Sequence, residues 1–206
     1  MTDCSKQVLL YAPNINGGGG LVLLRSILFE WPESRSITVW LDERAKSKLL
    51  LPKNARAIWV IPSFSSRLIA ELSLALKANT GDIILCFHGL PPLFPTRGAV
   101  QIYFQNVNYL DATPLAMFGL RTRLRLIVER LLFRLGSTRV SCMWVQTPSA
   151  ARALKEYWGR KRSIPSIEIF PFIPATAHKL SATLEVNHYD FIYIAGNEAH
   201  KNHRCL

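Results

Sequence analysis

Tyr11-Ala-Pro-Asn-Ile-Asn-Gly-Gly-Gly-Gly-Leu21 joins an apolar run, Val8 to Ala12, to a segment with helical spacing, Leu21 to Trp31. The run is too short and too uniformly apolar for an amphipathic helix, and it reads as a buried parallel strand. After it, Leu21, Leu24, Ile27, Leu28 and Trp31 recur at the spacing of one helix face, and Pro32 follows. Gly17, Gly18, Gly19 and Gly20 carry no Cβ, so the backbone between them can turn tightly and approach a ligand. The next helix turns its free N–H groups and positive dipole end toward that loop, which suits a phosphate or diphosphate. A plain flexible turn would use the same residues.

Outward from this stretch, short apolar runs alternate with helical patterns. Strands are predicted at Ser36 to Leu41, Ala57 to Ile61, Ile83 to Phe87, Ala99 to Phe104, Cys142 to Gln146, Ile167 to Phe170 and Asp190 to Ala195. Helices are predicted from Ala45 to Leu51, capped by Asp42, and from Ser65 or Ser66 to about Ala78. Two more are predicted over Leu120 to Leu135 and Ala150 to Trp158. This alternation implies an α/β fold with a doubly wound, Rossmann-like parallel sheet of about six or seven strands. Ligands of such sheets bind beyond the carboxyl ends of the strands. The glycine loop, the loop His88-Gly-Leu-Pro-Pro-Leu-Phe-Pro95 and the turn at Gln105-Asn106 all leave strands at that edge. A proline-rich and then polar stretch divides residues 1–174, the main domain, from residues 189–206 through a linker at 175–188.

The 206 residues leave room for one domain and part of a second. A formal charge of +11 points to an anionic partner. No window interleaves basic residues with aromatics in a nucleic-acid pattern, so nucleic acid is not expected. Cys4, Cys86, Cys142 and Cys205 show no short spacing, which fits a reducing cytoplasm, and Cys86 and Cys142, inside apolar runs, are expected to be buried thiols. The N-terminus carries no secretory signal, and no run approaches ~18 uninterrupted apolar residues.

Three stretches together resemble a known family. They are the Gly17–Gly20 loop after the first strand, Trp144-Val-Gln-Thr-Pro-Ser-Ala-Ala-Arg-Ala-Leu154, and Phe191-Ile-Tyr-Ile-Ala-Gly196 followed by His200-Lys-Asn-His-Arg-Cys-Leu206. In this order they are similar to the retaining, nucleotide-sugar-dependent glycosyltransferases of the GT-B fold, family 4 of the carbohydrate-enzyme classification. The resemblance implies an acceptor-side N-terminal domain followed by the start of a nucleotide-sugar-binding domain, truncated at Leu206. The family's basic pair and its Glu-x7-Glu motif would lie further on. It implies transfer of a sugar from a nucleotide-sugar donor to a lipid-linked or saccharide acceptor, as in cell-surface polysaccharide synthesis, with no cofactor and no metal.

The residues expected at the donor diphosphate are Gly17, Gly18, Gly19, Gly20, Lys201 and Asn202. His88, Gln105 and Asn106 are expected at the acceptor or sugar; each amide can both donate and accept to hydroxyls. The resemblance names no catalytic residue here, and Gln105-Asn106 stands where many members carry a His-Asp or similar pair. His200 and His203 lack the further ligands a metal would need. Arg121, Arg123, Arg125, Arg130 and Arg134 accompany the apolar series Leu120, Leu124, Ile127, Leu131 and Leu135. Such a helix lies on an anionic membrane face, peripheral on its inner side, or packs its apolar series into the core. Two rivals stand beside the transferase. One is a non-catalytic Rossmann-like fragment or binding module. The other is a different doubly wound enzyme, disfavoured by the missing Gly-x-Gly-x-x-Gly and Gly-Lys-Ser/Thr patterns.

Overall fold

The computed structural model describes residues 6–110, 114–159 and 165–170. Seven strands form one sheet: β1 (Val8–Ala12), β2 (Ile37–Asp42), β3 (Ala55–Val60), β4 (Ile83–Cys86), β5 (Ala99–Phe104), β6 (Val140–Val145) and β7 (Ser166–Ile169). Their order is β3-β2-β1-β4-β5-β6-β7, and every neighbouring pair is parallel. The helices are α1 (Gly18–Phe29), α2 (Phe64–Lys77), α3 (Leu120–Gly136) and α4 (Pro148–Trp158).

Side chains alternate across β1, as the pleat requires. Leu10 and Ala12 pack with Leu21, Leu24 and Leu28 of α1 on one face of the sheet. Leu9 and Tyr11 pack on the other face, in the core that holds Leu74 of α2, Phe133 of α3 and Leu154 and Trp158 of α4. Cys86 and Cys142 are buried free thiols, as the sequence suggests. The expected strand Asp190 to Ala195, the linker and residues 189–206 lie outside the described residues.

Some boundaries move for physical reasons. Helix α1 begins at Gly18 rather than Leu21, so three of the four glycines form its first turn. Glycine's poor helix propensity argues for a later start, and tertiary packing of Leu21, Leu24 and Leu28 overrides it. Ser63, not Ser65 or Ser66, caps α2; its hydroxyl accepts from the Ser66 N–H at 3.2 Å. Asp42 does cap the segment after β2, but Glu43–Lys48 is a short 3-10 helix.

Helix α3 departs most from expectation. Leu126, Arg130, Phe133 and Gly136 face inward. Leu120, Leu124, Ile127, Leu131 and Leu135, the series that would fill a core, are all exposed. The helix can approach the sheet because Gly136 presses against the Pro91 ring of the loop after β4. A methyl group at Gly136 would collide with that ring. Gly136→Ala is expected to lower stability by about 1–3 kcal/mol, read as a shift of the urea midpoint. An unchanged midpoint would show that this contact yields freely.

Candidate functional site at the carboxyl edge of the sheet

Strand β1 pairs with β2 on one side and β4 on the other, so the chain direction across the sheet reverses there. Beyond the carboxyl ends of β1 and β4 a crevice opens, the usual ligand position in such sheets. The loops carrying the glycines and His88 flank it. They are joined at the base, because the Phe87 N–H donates to the Tyr11 carbonyl at 2.9 Å.

On the α1 side the glycine run meets solvent. Gly18 adopts φ +63°, a left-handed backbone that glycine tolerates best. Among the described residues, nothing outside the immediate backbone lies within 4 Å of a Cβ built at Gly17 or Gly19. At Gly20 a Cβ would stand 3.2 Å from the Ile15 Cδ1 and 3.4 Å from the Gln105 Oε1. Gln105, leaving β5, is thereby brought to the first turn of α1, and its Nε2 donates to the Phe87 carbonyl at 3.1 Å. No side chain caps the helix, so its leading N–H groups have no capping oxygen.

The loop before the glycines is tied to the exit of β2. Asn16 Nδ2 donates to Asp42 Oδ2 at 3.4 Å, and Lys48 Nζ donates to the Asn16 carbonyl at 3.0 Å. Burial pushes the Asp42 carboxyl up. The bonds from Arg44, at 2.9 Å from Nε and 2.7 Å from Nη2, outweigh that and hold it below the ordinary carboxylate range. Arg44 is neutralised by the Asp42 carboxylate, so the net positive charge on the loop before the uncapped helix end comes from Lys48.

On the opposite face lies a cavity of about 530 Å³ between α2 and α3. His88 and Tyr11 line its inner end, with Glu71 of α2 beside them. The His88 Nδ1 is 3.4 Å from the Tyr11 carbonyl. A carbonyl can only accept, so Nδ1 carries the proton and Nε2 is left as an acceptor. Burial pushes the His88 pKa down to about 4, so the ring is neutral at pH 7. Glu71 Oε2 accepts from the Leu93 N–H at 2.9 Å, which fastens the proline-rich loop to α2. Burial raises the pKa of Glu71, and burial with the nearby Glu71 raises that of Tyr11. Glu129 of α3 is raised by burial too, opposed by Arg125, whose Nε is 3.7 Å from its Oε2.

The other sequence candidates fall as follows. Asn106 is turned to local work, accepting from the Asn108 N–H at 3.0 Å at the start of a short 3-10 helix. Among the α3 arginines, Arg121, Arg125 and Arg134 are exposed and Arg123 is half-buried. Arg130 does not join them, since it is 9% exposed and donates from Nε to the Asn108 carbonyl at 2.9 Å. Lys201, Asn202, His200 and His203 lie outside the described residues. Among the described residues no three or more His, Cys, Asp and Glu side chains are grouped to hold a metal. Sequence reasoning missed Arg67, Glu71 and Glu129. The one signal was Glu71 itself, a lone acid inside the otherwise apolar stretch Leu68-Ile-Ala-Glu-Leu72.

No family model matches the chain, and no curated protein matches it. Among solved structures it is similar to apo UGT2 of Phytolacca americana, at 14% identity and a TM-score of 0.45. The match covers 84% of this chain and 54% of that one, so the chain spans about half the length of that structure. The fold assignment rests on the strand order and register described above.

Glu71 gives the site a pH signature. A carboxyl raised above the ordinary 4.5 contributes its full stability below that value and loses it as pH rises through the raised one. Gln in its place keeps the acceptor for Leu93 and cannot ionise. Glu71→Gln is therefore expected to gain stability on the parent chain as pH rises from about 5 to 8. A difference that stays constant over that range, in urea melts, would place the Glu71 carboxyl in water.

Proposed function

We propose that this chain is a glycosyltransferase domain that moves a sugar from a nucleotide-sugar donor to a lipid-linked or saccharide acceptor. The observation that carries the reading is the uncapped, glycine-opened start of α1 at the point where the sheet order reverses. Positive partial charge from the leading N–H groups, with Lys48 nearby, suits a diphosphate leaving group on which charge develops. Room beside Gly17 and Gly19 that no other described residue fills gives a phosphate a place to approach the backbone. The order of the three motifs supports a retaining, metal-independent transfer, with the donor completed by the segment around Lys201 and Asn202. Gln105 stands on the donor side and His88 on the acceptor side, each with groups suited to sugar hydroxyls.

The protein works at an anionic membrane surface in this reading, on its cytoplasmic face. Leu120, Leu124, Leu131 and Leu135 of α3 and Phe64, Ile69, Leu72 and Leu76 of α2 all meet solvent, with Arg121 and Arg125 among them. Apolar insertion and attraction to anionic headgroups then act together. No helix among the described residues is long and apolar enough to cross a membrane.

Calorimetry with uridine and guanosine diphosphate sugars tests the donor site. Gly19→Leu has room in the free protein, so its melting point is expected to hold, yet its side chain stands where the phosphate approaches. Donor affinity is expected to fall at least about tenfold. Unchanged affinity would remove the donor from this loop, and no binding of either sugar nucleotide would favour the non-catalytic module. Sedimentation with vesicles tests the surface. Binding to phosphatidylserine vesicles at low salt is expected, weakening as salt rises and in an Arg121→Glu, Arg125→Glu double variant. Equal binding to neutral and anionic vesicles would contradict it.

A further inference from the structure

The cavity between α2 and α3 has a chemistry of its own. Its inner end presents polar groups whose charged forms burial disfavours: it keeps His88 neutral and raises the pKa of both Glu71 and Tyr11. Its walls are apolar, from Leu68 on α2, Leu124 and Val128 on α3 and Leu90 on the loop after β4. Arg67 also lines it, half-buried, and its guanidinium makes no hydrogen bond or ion pair among the described residues. The charges near Arg67 on α3 are Arg125 and Glu129, which lie within 3.7 Å of each other. Two guanidinium groups, Arg67 and Arg125, stand there with two carboxyls, Glu71 and Glu129, and burial raises the pKa of both carboxyls, which disfavours their negative charge. A half-buried guanidinium with its donors unbonded favours a ligand that brings an anion to them, beyond its longer-range attraction to Glu129. The apolar walls run out to Leu124 and Val128, which are 56% and 54% exposed, so an apolar chain can leave the cavity along α3.

We propose that this cavity binds a single-chain anionic amphiphile, a lipid phosphate, with its phosphate on Arg67 and its chain along Leu68, Leu124 and Val128. Hydroxyl groups attached at the phosphate end meet the acceptor Nε2 of His88 and the hydroxyl of Tyr11. The assignment rests on the transfer reading only for what becomes of the ligand, where it names the acceptor as a lipid phosphate; the binding itself needs no donor. A volume of about 530 Å³ is in the range of small-molecule sites.

Calorimetry of the 206-residue chain at pH 7, with decyl phosphate, decanol and inorganic phosphate below any micelle concentration, tests it. Decyl phosphate is expected to bind saturably at one per chain, decanol at least about tenfold more weakly, and inorganic phosphate not measurably. Arg67→Met keeps the bulk of the side chain without its charge, and is expected to bring decyl phosphate down to the decanol level while leaving decanol unchanged. Val128→Trp, at an exposed wall position, is expected to block both amphiphiles with the melting point preserved. Decyl phosphate bound equally well by Arg67→Met would overturn the assignment. Many molecules per chain, indifferent to Val128→Trp, would show adsorption on the apolar surface and overturn it too. Donor titration of the same samples keeps the two ideas apart. Decyl phosphate bound without nucleotide sugar upholds the cavity and defeats the transfer reading; nucleotide sugar bound without decyl phosphate defeats the cavity alone.

Discussion

Strand β1 is hydrogen-bonded along both edges and packed on both faces, and the rest of the molecule takes its position from that constraint. Val8 pairs with Ile37 on one side and Ile83 on the other. A slip of one residue would send Leu10 and Ala12 into the face that holds Leu9 and Tyr11, exchanging two cores at once. The end of the strand is therefore a fixed point. From it leave the glycine loop and, through the Tyr11 carbonyl, the loop that begins Phe87-His88.

From that point the two faces of the sheet diverge chemically. Toward α1 there are open N–H groups, with Lys48 held near them by its bond to the Asn16 carbonyl. These features favour a strongly charged, hydrated group such as a diphosphate. Toward α2 and α3 there is a space in which burial raises the pKa of Glu71 and lowers that of His88, disfavouring the charged form of each. An environment of that kind favours hydroxyls and apolar chains, with one unpaired guanidinium as the exception. Gln105 stands on the α1 side, at the Gly20 turn and bonded to the Phe87 carbonyl. A donor on one side and an acceptor on the other is what a transfer reaction needs, since the reacting groups must meet across a short distance.

Much of this was legible in the sequence, and the failures have physical causes. The bounds of β1 and β5 coincide with their apolar runs, because buried parallel strands write themselves as continuous hydrophobic stretches. The start of α1 was not legible, since a run of glycines argues against a helix that packing nonetheless imposes. Periodicity located α3 but could not say which of its stripes faces the core. Its inward side includes Arg130 and Gly136, residues no pattern would assign there, while its leucines are left outside. The cavity was invisible because it joins Arg67 and Glu71 on one helix to Arg125 and Glu129 on another, nearly sixty residues apart. Only the strand order brings those helices to the same face.

The central claim is that the opening of α1 receives the diphosphate of a nucleotide sugar. Amide shift mapping on nitrogen-15-labelled protein, titrated with uridine or guanosine diphosphate sugar, examines it at the residues concerned. The largest shift changes are expected at the N–H groups of Gly17, Gly18, Gly19 and Gly20, with smaller ones at the Gln105 side-chain amide. Saturating changes elsewhere, with the four glycine amides unmoved, would contradict the account.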